Sequence, residues 1–170
     1  FVLPTRKRPR QTGDPPEGAP LVLPAHIRYT KGDTGREVNR KVPERSRDWM
    51  RQAEADLRHA RNSLNAGDHD WACFAAHQAA EKAVKAVFQK LHLDAWGHTV
   101  SVLLANLPAP IKVPKALLEQ AKKLDKHYIP ARYPNGFETG APTDFYTKDE
   151  AEAAIRMAGE ILEFCKGCLR

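Results

Sequence analysis

The chain has 170 residues, of which 42% are hydrophobic and 28% charged, and its formal net charge is +6. This length favours one folded domain with a tail. No run of about 18 apolar residues is present, so we predict that nothing spans a membrane, and the lack of a charged-then-apolar leader favours the cytoplasm.

The basic charge is concentrated at the beginning of the chain. Residues 1–45 hold ten Lys or Arg against five Asp or Glu, whereas residues 46–170 hold seventeen against sixteen. The first segment also contains seven of the thirteen prolines and four of the ten glycines. We therefore predict that residues 1–45 are a basic, Pro/Gly-rich extension that is disordered or loosely attached, and that residues 46–170 are the folded domain. The folded part is nearly neutral, so the high overall pI does not itself indicate nucleic-acid binding.

From Ser46 onwards, apolar residues recur at spacings of three and four. They predict a first amphipathic helix that begins at Ser46 and ends near Gly67. Residues 71–91 contain no Gly or Pro and are dominated by strong helix formers, so they predict a central helix. The short link makes the two helices antiparallel neighbours. The predicted buried face of the central helix consists of Cys73, Ala76, Ala80, Ala83, Val84, Val87 and Leu91.

A narrow polar seam lies on the opposite side of the central helix. It consists of Gln78, Lys82, Lys85 and Gln89, with Glu81 beside them. Glu81 and Lys85 are four residues apart. They are therefore either an ordinary surface ion pair, which is worth about 0.3 kcal/mol, or part of a functional site. The sequence leaves both interpretations open.

Three more helices are predicted in the rest of the chain. Residues 100–107 form a short third helix, and residues 114–126 form a fourth helix with Pro114 in its first turn. A polar and aromatic stretch, residues 127–144, is predicted to be irregular. The capping box Thr147–Glu150 then opens the last helix. No strand alternation occurs from residue 46 on. The predicted fold class is therefore all-α, an up-and-down antiparallel bundle of four to five helices.

The three cysteines do not predict a metal or redox site. Cys73 belongs to the apolar face of the central helix. Cys165 and Cys168 lie at the end of the last helix, where the helix dipole does not lower a thiol pKa. Zinc would need two further ligands at a suitable spacing, which the sequence does not offer. We predict neither a metal nor a cofactor.

Residues suited to anion binding and base stacking surround the end of the fourth helix and the polar seam. Arg and Lys bind phosphate, while Tyr and His stack on bases. The alternative is structural: the tyrosines pin a long loop to the bundle and Arg132 pairs with Asp125. The predicted ligand-binding set is Lys82, Lys85, His98, Tyr128, Arg132 and Tyr133.

Four stretches in this order resemble the HEPN domain family (higher eukaryotes and prokaryotes nucleotide-binding). They are WACFAAHQAAEKAVKAVFQ, GHTV, LDKHYIPARYPNG and FYTKDEAEAAI. The resemblance covers about residues 46–169 and implies an up-and-down helical bundle that is usually dimeric. It also implies association with a minimal nucleotidyltransferase in a toxin–antitoxin-like module. The residues at the family's recurrent positions are Trp71, Phe74, Gln78, Glu81, Lys82, Lys85, His98, Tyr128, Arg132, Tyr133 and Pro134.

Many HEPN proteins are metal-independent ribonucleases with an Arg-x4–6-His motif, and this sequence departs from that motif. Seven residues separate Arg51 from His59, and seven separate Arg61 from His69. No histidine follows Arg132. In the family's nucleases the arginine binds the scissile phosphate and the histidine transfers the proton, so both are needed. Standard ribonuclease activity is therefore not expected.

We accordingly expect a homodimer that binds a nucleotide, RNA or a minimal nucleotidyltransferase partner. Two alternatives remain open from the sequence. One is an RNA-cleaving toxin that uses a non-standard pair, His127 and Arg132. The other is a purely structural dimerisation module without a ligand.

Overall fold

The computed structural model of the chain describes residues 43–170. The prediction for the basic extension therefore lies outside the described residues, apart from its last three. No strand occurs in residues 43–170, and no helix in this range is long and apolar enough to cross a membrane. The all-α bundle is confirmed. Its helices are α1 (Ser46–Ala66), α2 (His69–Lys90), α3 (Val100–Ala105), α4 (Lys115–Asp125), α5 (Pro142–Phe145) and α6 (Lys148–Cys168).

The turn between α1 and α2 depends on Gly67. This residue has a φ of +89°, a conformation that glycine adopts readily and that commonly ends a helix. The N–H of Gly67 donates to the carbonyl of Leu64 at 3.2 Å, and the N–H of Asp68 donates to that of Ser63 at 2.9 Å. The chain reverses at once, so α1 packs along α2 as an antiparallel neighbour. The predicted end of the first helix is confirmed.

The central helix α2 is buried on more sides than its sequence pattern predicts. Leu91 lies just after the end of α2 and is exposed, so its assignment to the buried face is wrong. The additional buried surface exists because α2 packs against α1, α6, α3 and α4 in different directions. A helix surrounded in this way is apolar around most of its circumference and keeps only a narrow polar strip. The buried residues beyond the predicted face include Ala72, Ala75, Ala79, Ala86 and Phe88.

The segment between α4 and α6 is more ordered than the predicted irregular loop. It contains a 3-10 turn at Pro134–Gly136 and the one-turn helix α5. The rings of Phe137 and Phe145 stack with their centroids 4.3 Å apart, which closes the segment on itself. At the start of α6, Thr147 Oγ1 accepts a hydrogen bond from the N–H of Glu150 at 3.3 Å, so the predicted capping box is confirmed.

The three cysteines are free thiols. Burial raises the pKa of Cys73 to about 12, and it also raises the pKa of Cys165. Both thiols are therefore poor nucleophiles at neutral pH. In the part of the chain that the structure describes, no group of three or more His, Cys, Asp or Glu side chains is arranged to hold a metal ion.

Candidate functional site

The candidate site lies where α2, the link before α3 and the segment that follows α4 meet. Its polar centre is Glu81, which is only 4% exposed. The carboxylate accepts a hydrogen bond from Lys85 Nζ at 2.8 Å and one from Gln78 Nε2 at 3.3 Å. His98 Nδ1 lies 3.0 and 3.2 Å from its two oxygens. Glu81 and Lys85 are therefore not a surface pair, because three partners enclose the carboxylate.

The electrostatics of this cluster favour the charged carboxylate. Burial acts to raise the pKa of Glu81, but the hydrogen bond and charge of Lys85, followed by those of His98, outweigh it and lower the pKa below its ordinary value. The side chain of Lys85 is itself only 12% exposed. Two opposite charges are thus buried together, which is the usual condition under which a protein interior accepts them.

Lys82 lies apart from this cluster, on the side of α2 that faces α1. Its ammonium group pairs with the carboxylate of Asp56 on α1 and donates to Gln78 Oε1 at 3.2 Å. Neither predicted lysine extends freely into water, since each is paired with a carboxylate. The structure brings Lys85 and His98 together at Glu81, and Gln78 hydrogen-bonds to both Glu81 and Lys82.

Tyr128 packs against two histidine rings. Its ring centroid lies 4.9 Å from that of His98, with an angle of 15° between the planes. On another side it lies 5.1 Å from the ring of His77. His98 has 54% of its side chain exposed, whereas His77 is fully buried. Sequence reasoning did not select His77; the only available signal was a histidine within an alanine-rich buried helix.

Arg132 packs on the faces of three aromatic rings. Its guanidinium carbon lies 4.4 Å from the ring centroid of Phe74, 4.8 Å from that of Tyr128 and 5.0 Å from that of Tyr133. These are cation–π distances. Arg132 Nε donates to the carbonyl of Tyr128 at 2.9 Å. Within residues 43–170, no carboxylate forms an ion pair with this guanidinium.

The predicted pairing of Arg132 with Asp125 is wrong, because Asp125 caps α3 instead. Its carboxylate accepts hydrogen bonds from the N–H of Val100 at 2.6 Å, from the N–H of Ser101 at 3.2 Å and from the Ser101 hydroxyl. Nε2 of the buried His77 lies 3.7 Å from the same carboxylate, too far for a hydrogen bond. Burial acts to raise the pKa of Asp125, but the nearby His77 ring, followed by the hydrogen bonds from Ser101 and Val100, outweighs burial and lowers the pKa.

His127 contacts a different part of the bundle from Arg132. Its Nδ1 lies 3.4 Å from the hydroxyl oxygen of Tyr146, and the two ring centroids are 5.5 Å apart. Burial lowers the pKa of His127. Arg132 packs on Phe74, Tyr128 and Tyr133 instead, so the two members of the non-standard pair pack on different aromatic rings.

Two cavities adjoin the arginine and its aromatic rings. One has a volume of about 310 Å³ and is bordered by Arg132, Asp70 and Trp71 among others. The second, of about 220 Å³, is bordered by Trp71, Phe74 and Lys82 among others. Trp71 borders both cavities and is 49% exposed. The predicted residues Arg132 and Lys82 therefore each border a space that a ligand can enter.

Comparisons with known proteins agree with this architecture. Protein TT1696 of Thermus thermophilus has a crystal structure that superposes with a TM-score of 0.73 at 49% identity, covering 75% of this chain and 100% of that chain. The crystal structure of ST0689, described as an archaeal HEPN homologue, gives 0.64 at 41% identity, covering 75% and 100%.

A curated relative and a family model complete the comparison. The relative is a Methanocaldococcus jannaschii protein named "Putative toxin MJ1304". It is 28% identical over 131 residues, which cover 72% of this chain and 86% of that protein. The HEPN domain model matches residues 46–168, the whole bundle from the start of α1 to the end of α6. The chain therefore belongs to the HEPN domain family.

Proposed function

We propose that this HEPN protein binds a nucleotide, free or within RNA, and that Arg132 contacts its phosphate group. The observation that carries the proposal is a guanidinium that is held on three aromatic rings and pairs with no carboxylate of residues 43–170. Such stacking orients the planar fork of an arginine and leaves its N–H donors available. Charged hydrogen bonds from a guanidinium to phosphate are among the strongest in proteins.

Exposed rings around the arginine support base stacking. Tyr133 is 48% exposed, and His98 presents half of its surface while its other face lies on Tyr128. Bases stack on such rings with little dependence on sequence. Lys82 and Lys85 remain predicted ligand residues, but their charges are already paired with Asp56 and Glu81. Arg132 therefore carries the proposal.

Replacing Arg132 with alanine is expected to weaken nucleotide binding by about 1.5–3 kcal/mol, the range for a hydrogen bond to a charged group. Isothermal titration calorimetry with ATP, GTP and a short RNA would measure this loss. Arg156→Ala is the matched control, because it removes the same charge from an exposed position on α6 that borders a different groove. Circular dichroism should show the same helix content in all three proteins.

Two results would contradict this proposal. If the parent protein binds none of the three ligands at millimolar concentration, the nucleotide proposal is lost and a partner-binding module remains. If the parent cuts RNA and His127→Ala abolishes the cutting, the ribonuclease alternative replaces a non-catalytic role.

We also propose that the chain forms a homodimer and associates with a minimal nucleotidyltransferase in a toxin–antitoxin-like module. The M. jannaschii relative is named as a toxin, which supports a role in such a module. Leu93, Trp96 and Val102 expose apolar surface in and beside the link between α2 and α3, where a partner chain can pack.

Light scattering coupled to size exclusion would test the assembly. We expect twice the mass of one chain, and a larger complex when a minimal nucleotidyltransferase is co-expressed. Trp96→Ser, at the most exposed large apolar side chain in the described residues, should reduce one or both assemblies. A chain that remains monomeric and does not bind the nucleotidyltransferase would contradict both parts of this proposal.

A further inference from the structure

The cavity beside Arg132 is bordered by two aspartates that phosphate binding does not use, the exposed Asp68 and the more buried Asp70. Asp70 borders this cavity and is only 8% exposed. Its side chain has no hydrogen bond or ion pair with any residue that the structure describes, and Arg132, on the same cavity, does not form an ion pair with it. Neither carboxylate oxygen of Asp70 is enclosed without a partner, so a ligand that enters the cavity can reach these oxygens and donate hydrogen bonds to them.

The position of Asp70 favours a negative charge, but no residue that the structure describes donates a hydrogen bond to its carboxylate oxygens. It lies in the first turn of α2, where the helix dipole favours a negative group. A metal ion does not suit the cavity, because the positively charged guanidinium of Arg132 borders it. Within residues 43–170, no group of three or more His, Cys, Asp or Glu side chains is arranged to hold a metal ion. The ligand should instead present N–H groups to Asp70.

The walls of the cavity specify the shape of that ligand. Trp71, half exposed, offers an indole face for stacking. The volume of about 310 Å³ lies at the lower limit for small-molecule sites, which suits a base rather than a whole nucleotide. Because Arg132 borders the same cavity, the phosphate that the ribose of that nucleotide carries would remain within reach of the guanidinium.

We infer that this cavity binds the base of a guanine nucleotide, with the carboxylate of Asp70 accepting hydrogen bonds from it. A carboxylate has two acceptor oxygens and no donor. Guanine presents two parallel donors on one edge, N1–H and the 2-amino group. Adenine and cytosine present a donor beside an acceptor, and the single ring N–H of uracil lies between two carbonyl groups. The inference rests on the proposed function and adds the identity of the base.

A comparison of three nucleotides tests the inference on the full chain without a variant. Inosine monophosphate retains N1–H of guanosine monophosphate and lacks only the 2-amino group. Calorimetric titration should show guanosine monophosphate binding about tenfold or more tightly than inosine monophosphate, which is the effect of one hydrogen bond to a charged group. Adenosine monophosphate should bind more weakly than guanosine monophosphate by at least the same factor.

Asp70→Asn should change the preference rather than abolish binding. Asparagine presents one donor and one acceptor and therefore matches the edge of adenine. We expect the preference for guanine over adenine to fall about tenfold or more, and the relative affinity for adenosine monophosphate to rise. Asp149→Asn is the matched control, because Asp149 is an exposed carboxylate in the first turn of α6. It should leave the preference unchanged.

The outcomes separate this inference from the proposal on which it rests. Equal affinities for the three nucleotides, lost in Arg132→Ala, would overturn the guanine pocket and leave phosphate binding intact. The same holds if Asp70→Asn keeps the parent's preference. If none of the three nucleotides binds at millimolar concentration, the pocket and the phosphate site are both overturned.

Discussion

Replacing Glu81 with alanine is expected to lower the free energy of unfolding by about 3–5 kcal/mol, because it leaves the buried ammonium group of Lys85 without a counter-charge. The two groups are 2.8 Å apart, and their side chains are 5% and 12% exposed. His98 would lose the same carboxylate. Urea denaturation at pH 7, followed by circular dichroism, would measure the loss.

The chain contains a matched control for this prediction. Glu119 and Lys122 on α4 form an ion pair at the same distance, 2.8 Å, but both side chains are more than half exposed. Glu119→Ala should therefore change the free energy of unfolding by less than about 1 kcal/mol, as is usual for surface pairs. Equal effects of Glu81→Ala and Glu119→Ala would show that the Glu81 pair is not buried in solution.

A double-mutant cycle separates the ion pair from the space it fills. Lys85→Met should also destabilise the protein, because it leaves Glu81 with one charged partner fewer. The double variant Glu81→Leu/Lys85→Met should lose less stability than the sum of the losses measured for Glu81→Leu and Lys85→Met, since apolar residues of similar volume often replace a buried pair at little cost. Additive losses would contradict a direct coupling between the two groups.

The elements of this fold could be predicted because their signals are local. Gly67 ends α1 and Thr147 opens α6 through hydrogen bonds to residues within four positions along the chain. The spacing of apolar residues likewise records which face of a helix is buried. Such signals are complete within one or two helical turns of sequence, so the order and type of the main helices follow from them.

The arrangement of the candidate site could not be predicted in the same way. Periodicity places Glu81 beside a polar seam, yet His98 covers it from a position 17 residues further along the chain. Opposite charges at Asp125 and Arg132 suggest a pair, but the carboxylate instead meets the N–H of Val100, 25 residues before it. Contacts of this kind depend on how helices pack, which spacing along one helix does not encode.

Asp125, at the end of α4, contacts the start of α3 and lies beside His77 of α2. Its removal should therefore lower the stability of the fold strongly. It holds the first turn of α3 through two backbone N–H groups, and the buried His77 lies beside it. Asp125→Ala should lower the free energy of unfolding by about 2–4 kcal/mol, because a cap is lost and the N–H of the buried Val100 loses its charged acceptor. Since His98 lies two residues before α3, nucleotide binding should weaken as well.

The pH dependence of stability shows whether Asp125 acts through its charged carboxylate or only through the volume of its side chain. The lowered pKa values of Asp125 and Glu81 mean that each carboxylate stabilises the fold fully above its ordinary pKa of about 4, and that this stabilisation is lost as pH falls through the lower folded value. The parent should therefore lose stability below about pH 4, as measured by urea midpoints between about pH 6 and pH 2.

Asp125→Ala should lose less stability than the parent over the same pH range, because one of these two carboxylates is absent. Asp125→Asn, which keeps an oxygen acceptor without the charge, should match the reduced acid dependence while being more stable than the alanine variant. If both variants lose as much stability in acid as the parent does, the carboxylate of Asp125 is not held in its charged form by the start of α3, and the cap contributes only through packing.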